Sequence, residues 1–272
     1  MTDAATLSGV PETLLVPLFY RAKETQDVNP LIKDEKAVEI VNSIQYDFSH
    51  CNKWLTQASV VIRLQIFQDS IRKFLNDNPE AVVINLAAGL DNLFSELDNG
   101  SVKWFDLDFP HVIDIRKQYI EETERRQFIA SDALDFSWMK TVNVGDGQPV
   151  LIIAEGLLPY LPEEKAKLLL STLADNFSNS QIILDIFGSF TVGREWLVSE
   201  FKHIEPKPSF LWSPQNPYEL EGWDSRFKTL GVENLFDRHP ERWRKMRVIG
   251  MFSYLKNMMG NRCITLDLHA NK

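Results

Sequence analysis

Residues 81–91 read AVVINLAAGLD, and this stretch decides the fold. Its first seven residues, 81–87, are apolar apart from Asn85, and three of them are β-branched. A short apolar run of this kind, bounded by small residues, is typical of a strand that is buried on both faces of a sheet. Gly89 then lets the backbone turn tightly or approach a ligand closely. The stretch therefore predicts a central strand that opens into a loop at its carboxyl end.

Four more runs rich in β-branched or aromatic residues follow, at residues 102–108, 127–131, 150–155 and 181–187. Apolar residues at three- and four-residue intervals predict helices at residues 57–75 and 163–177. Strands that alternate with helices predict a mostly parallel sheet with helices on both faces. The alternating run at residues 263–269 predicts a last, antiparallel strand at or near a sheet edge. The expected fold class is therefore α/β, with a Rossmann-like sheet.

The chain contains no internal repeat and no low-complexity tract, so we expect a single domain over residues 1–272. We expect an N-terminal helical cap at residues 1–78, followed by a cofactor-binding core at residues 79–188. Proline and aromatic residues make the pattern irregular at residues 189–262, which favours a lid or substrate region. Residues 263–272 are expected to complete the domain as its final strand.

The composition is that of a soluble globular protein, with 44% hydrophobic and 25% charged residues. A formal net charge of −9 disfavours binding to nucleic acid or to an anionic membrane, because both partners are themselves negative. Cys51 and Cys263 lie far apart without metal-ligand spacing, so no metal site is expected. The N-terminus does not resemble a secretory signal, and no apolar run reaches the roughly 20 residues that span a bilayer. We therefore expect a cytoplasmic protein.

Acidic residues follow most of the predicted strands at their carboxyl ends, which is where open α/β sheets bind ligands. Asp91 lies after the first strand, Asp132 follows the third, and Glu155 ends the fourth. Each could instead cap a helix or lie in a solvated turn, but their convergence on one edge favours a binding site. An acid about 20 residues after the loop glycine typically binds a ribose diol. Asp108, nineteen residues after that glycine, fits this role, and Asp106 is the alternative.

The charge of the loop separates two nucleotide ligands that such a sheet could bind. A dinucleotide brings a pyrophosphate, which needs several glycines, whereas this loop has one glycine and places Asp91 where the phosphates would lie. S-adenosylmethionine instead carries a sulfonium, an ammonium, a carboxylate and a ribose diol, so it suits an acid-lined pocket that also holds a cation. Arg63, at the edge of an apolar helical stripe, is the first candidate cation, with snorkelling as its alternative role. Arg21 and Lys23 are weaker candidates, because an exposed helix face would also explain them.

Six segments and Arg63 form a recognisable set: PETL at 11–14, RAKET at 21–25, NLAAGLD at 85–91, WFDLDFP at 104–110, SDALD at 131–135 and IAEGLLPYL at 153–161. The set resembles the leucine carboxyl methyltransferase family, in its bacterial branch related to polyketide-biosynthesis O-methyltransferases. This resemblance runs through most of the chain. It implies a class I methyltransferase fold, S-adenosylmethionine as cofactor, S-adenosylhomocysteine as product and an oxygen of a small molecule as methyl acceptor. It also implies that Arg63, with Arg21, holds the methionine carboxylate and that Glu155 lies near the amino group.

The resemblance implies roles for four further residues around the rest of the cofactor. Gly89 would line the methionyl and ribose region, and Asp108 would take the ribose hydroxyls. Asp132 and Ala133 would lie beside the adenine. Ala87 departs from the family pattern, because it stands where the first loop glycine is usual and places a β-carbon near the cofactor. Binding is nevertheless expected to survive, since this change removes none of the named contacts.

Methyl transfer is an in-line displacement, for which the protein mainly has to align the nucleophile and exclude water. A carboxylate acceptor needs no general base, whereas a hydroxyl acceptor benefits from one. Tyr160, His111, His203 and His239 are candidates for such a base. A lone His or Tyr more often has a structural role, so we select no catalytic residue from the sequence.

The acceptor pocket and two other functions stay open at this point. Trp212, Tyr218 and Trp223 favour either an apolar wall for a planar acceptor or ordinary core. The first other function is a catalytically silent member that binds the cofactor or a protein partner. The second is a nicotinamide-dependent oxidoreductase on a similar sheet, which the loop after the first strand disfavours. The sequence predicts neither the identity of the acceptor nor the oligomeric state.

Overall fold

A computed structural model describes residues 2–3 and 7–269 of the chain. Within these residues lies a sheet of seven strands: β1 (Val82–Leu86), β2 (Lys103–Asp108), β3 (Arg126–Ala130), β4 (Val150–Ala154), β5 (Ser180–Ile186), β6 (Lys228–Asn234) and β7 (Arg262–Asp267). The strand order is β3-β2-β1-β4-β5-β7-β6. Strand β7 runs antiparallel to β5 and β6, whereas the other neighbouring pairs are parallel. This arrangement confirms the predicted, mostly parallel sheet with an antiparallel strand near the C-terminus.

Helices pack on both faces of this sheet, as predicted. In chain order they are α1 (Leu15–Thr25), α2 (Glu35–Ser43), α3 (Trp54–Asp77), α4 (Leu93–Leu97), α5 (Pro110–Arg116), α6 (Glu163–Asn176), α7 (Arg247–Gly250) and α8 (Ser253–Met259). Neighbouring residues of β1 belong to different buried clusters: Ile84 packs in the cluster that contains Leu169 of α6, and Val83 in the one that contains Phe67 of α3. Because side chains alternate across a strand, β1 is covered on both sides. Its sequence, apolar apart from Asn85, follows from this position.

Helix α3 extends the predicted helix 57–75 by a few residues at each end. It stops at Asp77, where the side-chain amide of Asn78 donates a hydrogen bond to the carbonyl of Phe74 at 3.0 Å. Pro79 follows and cannot continue the helix. The buried stripe of α3 packs against the sheet and places Arg63 near the carboxyl ends of the strands.

The segment at residues 189–262, which the sequence indicated as irregular, contains a strand that the prediction missed. Strand β6 lies at the sheet edge, most of its residues are exposed or half-buried, and its register shifts between Thr229 and Gly231. An exposed edge strand does not need an apolar run, so the sequence pattern carried little signal for it. The division of the chain into cap, core and lid stays a prediction.

Two smaller features complete the described fold. Thr2–Asp3 pairs in parallel with Ile44–Gln45 as a short ladder outside the main sheet. In the part of the chain that the structure describes, none of the helices has both the length and the apolar character required to cross a bilayer.

Candidate cofactor and acceptor site

A cavity of about 490 Å³ opens at the carboxyl ends of β1, β2 and β4. Its wall consists of the residues that follow these strands, together with residues of α1, α3 and the segment 187–261. Six of the eight residues that the sequence assigned to cofactor binding lie in this wall: Arg21, Arg63, Ala87, Gly89, Asp108 and Glu155. The fold therefore brings together groups from well-separated parts of the chain.

The other two assigned residues, Asp132 and Ala133, lie in the turn after β3 and are not part of the cavity wall. The Asp132 side chain is exposed and accepts a hydrogen bond from the backbone N–H of Leu134 at 2.9 Å. Ala133 is buried in the core, and its carbonyl accepts a hydrogen bond from Nε1 of Trp138. Their place beside the adenine stays a prediction.

The loop after β1 has an unusual backbone conformation. Ala87 has a φ of 54° and Gly89 a φ of 51°, so both residues occupy the left-handed region. Glycine adopts this region freely, whereas an L-residue with a β-carbon loses roughly 1–2 kcal/mol there. A β-carbon on Gly89 would also lie 3.3 Å from Cβ of Leu14. The glycine usual at position 87 in the resembled family therefore suits this backbone better than the alanine of this chain.

Asp108 ends β2 and stabilises this loop through hydrogen bonds. Its carboxylate accepts hydrogen bonds from the backbone N–H groups of Gly89 and Phe109, both at 2.7 Å. Burial raises the pKa of Asp108 to about 6, although the two N–H groups and the charges of Arg116 and His111 act to lower it. Since the carboxylate also lies in the cavity wall, it can face a ligand.

Asp106, the alternative to Asp108, is fully buried beneath the loop. Its carboxylate accepts hydrogen bonds from Asn85, Trp104, Arg116 and Arg126, at 2.8 to 3.0 Å. Burial acts to raise the pKa of Asp106, but the two guanidinium groups outweigh it and hold the pKa below its usual value. The geometry therefore favours Asp108 over Asp106 as the acid that faces a ligand.

Arg116, which the sequence reasoning missed, supports the loop from below. It is fully buried and donates hydrogen bonds to the carbonyls of Ala88 and Gly89, at 3.3 and 2.8 Å. It also pairs with Asp91 at 3.1 Å, so the charge of Asp91 is shared with a cation. The sequence offered one indication of this role. Arg116 directly follows the apolar residues of α5, much as Arg63 lies at the edge of the apolar stripe of α3.

Arg63 lies at the centre of the charged end of the cavity. Its Nε donates to Glu155 at 2.9 Å, and its Nη1 donates to Asp185 at 3.0 Å. Burial acts to lower the pKa of Arg63, but the two carboxylates raise it, so the guanidinium stays charged. Burial raises the pKa of Glu155, and the charge of Arg63 opposes that rise.

Asp185 is a second residue that the sequence reasoning missed. It is fully buried near the end of β5 and accepts hydrogen bonds from Arg63 and from the backbone N–H of Gly156, the latter at 2.6 Å. It therefore fixes both the guanidinium and the turn after β4. Its place in the predicted strand 181–187 was a usable signal, because a count of acids at strand ends would have included it.

Arg21 brings a second cation to the cavity from α1. Its Nε pairs with Asp34 at 2.9 Å, and its Nη2 donates to the carbonyl of Leu90 at 2.8 Å. Asp34 also accepts a hydrogen bond from the backbone N–H of Ala37 at the start of α2. The charge of Arg21 acts to lower the pKa of Glu155, so these two groups interact. One end of the cavity thus presents cationic and anionic groups side by side.

Aromatic and aliphatic side chains form much of the remaining wall. Phe210 is the centre of an aromatic group, with ring centroids 4.5 Å from Phe187, 5.4 Å from Tyr160 and 5.8 Å from Phe201. All four residues line the cavity. Such a wall suits a planar, largely apolar molecule.

The three aromatic residues that the sequence placed either in the pocket or in the core do not line the cavity. Trp212 and Trp223 have ring centroids 5.2 Å apart and pack against the core cluster beside α6. Tyr218 is exposed. The segment 189–262 does supply aromatic residues to the cavity, among them Phe201, Phe210 and Trp243, but not these three.

Among the candidate bases, Tyr160 lies in the cavity wall, whereas His111, His203 and His239 do not. Burial raises the pKa of Tyr160 well above its usual value, against the lowering effects of Thr13 and Arg63. Tyr160 is therefore protonated at neutral pH, which does not favour it as a general base.

Comparison with known proteins assigns the chain to a family. The family model of leucine carboxyl methyltransferases matches residues 15–174, which include β1 to β4 and nearly all of the charged end of the cavity. The chain belongs to the leucine carboxyl methyltransferase family. It is an S-adenosylmethionine-dependent methyltransferase, as the sequence predicted, and the nicotinamide alternative loses its support.

Two relatives match the methyltransferase over most of its length. A tetracenomycin polyketide synthesis O-methyltransferase, TcmP of Streptomyces glaucescens, is 29% identical over 252 residues, covering 89% of this chain and 92% of its own. An S-adenosyl-L-methionine-dependent methyltransferase, dpfgK of Gibberella zeae, is 31% identical over 239 residues and covers 79% of each chain. These likenesses agree with the resemblance to the polyketide O-methyltransferase branch.

Solved structures share the fold of the methyltransferase. A protein of Thermobifida fusca, described as a methyltransferase, superposes with a TM-score of 0.63 over 98% of this chain and 96% of its own, at 11% identity. A duf574 family protein of Streptomyces avermitilis gives a TM-score of 0.62 over 96% of this chain and 97% of its own, also at 11% identity. Both confirm the class I fold.

Proposed function

We propose that this methyltransferase transfers the methyl group of S-adenosylmethionine to a carboxylate or hydroxyl oxygen of a small aromatic acceptor, of the kind that polyketide synthesis yields. One observation carries the proposal: a single cavity joins a charged end to an aromatic wall. The charged end fits the polar parts of the cofactor, and the aromatic wall fits a planar acceptor. The similarity to TcmP, a tetracenomycin polyketide synthesis O-methyltransferase, supports the same acceptor class.

The residues at the charged end fit the chemistry of the cofactor. Arg63, assisted by Arg21, would hold the methionine carboxylate, and Glu155 would lie near the ammonium. Asp108 would accept the ribose hydroxyls, and Gly89 allows close approach of the backbone between them. Such charge-assisted hydrogen bonds are about twice as strong as neutral ones, so they would supply much of the affinity. At the adenine, Asp132 and Ala133 are proposed from the family resemblance alone.

When bound, S-adenosylmethionine supplies an electrophilic methyl group on a positively charged sulfur. The protein then has to orient the acceptor oxygen and exclude water, for which the aromatic wall around Phe210 is suited. Tyr160, protonated at neutral pH, would donate a hydrogen bond to the acceptor. A carboxylate acceptor needs no further group, because it is already ionised at neutral pH.

Two measurements test this proposal. Calorimetry should show binding of S-adenosylmethionine but not of NADH, and Arg63→Ala should bind the cofactor at least tenfold more weakly, since it removes a buried charge partner. A labelled-methyl transfer screen over aromatic carboxylic acids and phenols should then identify an acceptor. Cofactor binding without transfer to any acceptor would favour the silent-member alternative. An Arg63→Ala variant that binds like the parent would refute the assigned cofactor site.

A further inference from the structure

The charge of this acidic chain is unevenly distributed near its C-terminus. Residues 242–262 contain six Lys or Arg and no Asp or Glu, although the whole chain has a formal net charge of −9. Three of the six form hydrogen bonds within the protein, two with carboxylates and one with backbone carbonyls, and Arg244 lies over the ring of Trp54. The other three, Arg244, Lys245 and Arg247, are exposed. This part of the surface is therefore locally cationic.

Large apolar side chains protrude beside these bases. Met251 is 76% exposed, Phe252 56% and Tyr254 78%, on and between the short helices α7 and α8. Single exposed apolar residues are ordinary, but a group of three within four positions marks an interaction site. We call the surface formed by these three residues and by Arg244, Lys245 and Arg247 the basic-apolar face. Aromatic and apolar side chains next to Lys and Arg are the composition of segments that lie in a membrane interface.

The basic-apolar face lies beside the cavity. Trp243 and Met246, before α7, Met259 at the end of α8, and Asn261 after it all belong to the cavity wall. The turn Ser189–Thr191, from which two residues also line the cavity, packs against α8. A surface that docks on this face would thus lie next to an apolar cavity.

We propose that the basic-apolar face docks on the surface of an anionic membrane. Three observations favour lipid over an acidic protein: the exposed bases match anionic headgroups, the protruding side chains can enter the interface singly, and the adjoining cavity suits a lipid-soluble acceptor. The acidic remainder of the chain is repelled by the same membrane, so docking selects this one orientation. The negative net charge of the chain led us to expect no membrane partner, but the basic-apolar face is locally positive.

Vesicle sedimentation tests the proposal on the full chain without any need for methyl transfer. The protein should sediment with phosphatidylglycerol-containing vesicles at low salt, remain in the supernatant with phosphatidylcholine vesicles, and lose binding as salt rises, because screening weakens the attraction. Calorimetric binding of S-adenosylmethionine is measured on the same samples. This second measurement separates a failure of the docking face from a failure of the cofactor site.

Two double variants test the two components of the face. Lys245→Gln with Arg247→Gln removes two exposed charges and should weaken vesicle binding about thirtyfold, at roughly 1 kcal/mol for each base. Met251→Ser with Tyr254→Ser removes the most exposed apolar groups and should weaken it by a similar factor. Neither variant should change the affinity for the cofactor, because none of these four residues lines the cavity.

The matched control replaces an exposed base and an exposed apolar residue elsewhere, as Lys33→Gln with Val28→Ser, where Val28 is 95% exposed. It should sediment like the parent. Parent protein that stays in solution with anionic vesicles would overturn the proposal, as would equal losses in the control and in the two double variants. Retention on an acidic protein without vesicle binding would also overturn it and assign the face to a protein partner.

Discussion

Replacing Ala87 by glycine should make this protein more stable, although the same change inside regular structure normally destabilises. Ala87 has a φ of 54°, and its side chain is half-buried at the cavity wall, so few packing contacts are lost. Relief of the left-handed conformation is worth roughly 1–2 kcal/mol, and the greater freedom of glycine in the unfolded chain opposes it by about 0.5–1 kcal/mol. The net gain is on the order of 0.5–1 kcal/mol.

Thermal and urea unfolding measure this gain directly. For a domain of this size, the melting temperature should rise by about 1–3 °C. Ala88→Gly is the matched control, because Ala88 is buried and its φ is not positive, so that variant should lose stability. Gly89→Ala should lose stability as well, since its φ is 51° and its new β-carbon would lie 3.3 Å from Cβ of Leu14.

The Ala87→Gly variant should also bind S-adenosylmethionine at least as tightly as the parent, because it removes a methyl group from the cavity wall and gives the loop the residue usual in the family. Equal losses of stability in Ala87→Gly and Ala88→Gly would refute the argument from backbone strain. A tenfold loss of cofactor affinity at unchanged stability would show that the methyl group contributes a contact instead.

Three further changes test the charged groups around the site. Asp185→Asn should weaken cofactor binding several-fold, since Arg63 loses one of the two carboxylates that hold it. Calorimetry should show this loss, whereas the control Asp69→Asn, which replaces an exposed carboxylate of α3, should bind normally. Cofactor affinity should fall about tenfold from pH 7 to pH 5, because a ribose diol donates to ionised Asp108, whose pKa is about 6. Asp108→Asn should remove this pH dependence. A parent protein whose affinity does not change with pH would contradict the assignment. The same raised pKa means that the contribution of Asp108 to folding is largest below its unfolded pKa of about 4 and is lost as pH rises through 6, which urea titrations can follow. Asp106→Ala should cost about 3–5 kcal/mol in urea unfolding, because it leaves the buried Arg126 without its carboxylate and Arg116 with Asp91 alone; a loss below 1 kcal/mol would contradict this.

The sequence predicted the parallel strands well because their signal is local. A strand buried on both faces needs consecutive apolar residues, and the acids that follow it are visible in the same window. The prediction missed strand β6, because an edge strand with an exposed face does not need consecutive apolar residues. The antiparallel β7 was found because its residues alternate, as a strand beside an exposed edge allows.

The site residues likewise differ in whether their signal in the sequence is local. Asp108 and Glu155 follow directly from the strand ends, whereas Asp185 and Arg116 take their importance from partners distant in the chain, Arg63 in the first case and the loop carbonyls in the second. No local pattern shows such a partner. The choice between Asp106 and Asp108 likewise depended on which carboxylate already pairs with buried arginines, and the structure shows that this is Asp106. Packing also decided the role of the tryptophans, which belong to the core.

The shared guanidinium of Arg63 has a consequence for turnover. Arg63 pairs with two carboxylates, the buried Asp185 and the half-buried Glu155, so this group of three has more acidic than basic members. A ligand with a positive sulfur relieves that excess, whereas the same ligand after losing its methyl group, now neutral at sulfur, does not. With the cofactor in the proposed site, these electrostatics would hold the charged donor more firmly than the neutral product, and so would favour the exchange of one for the other at each cycle.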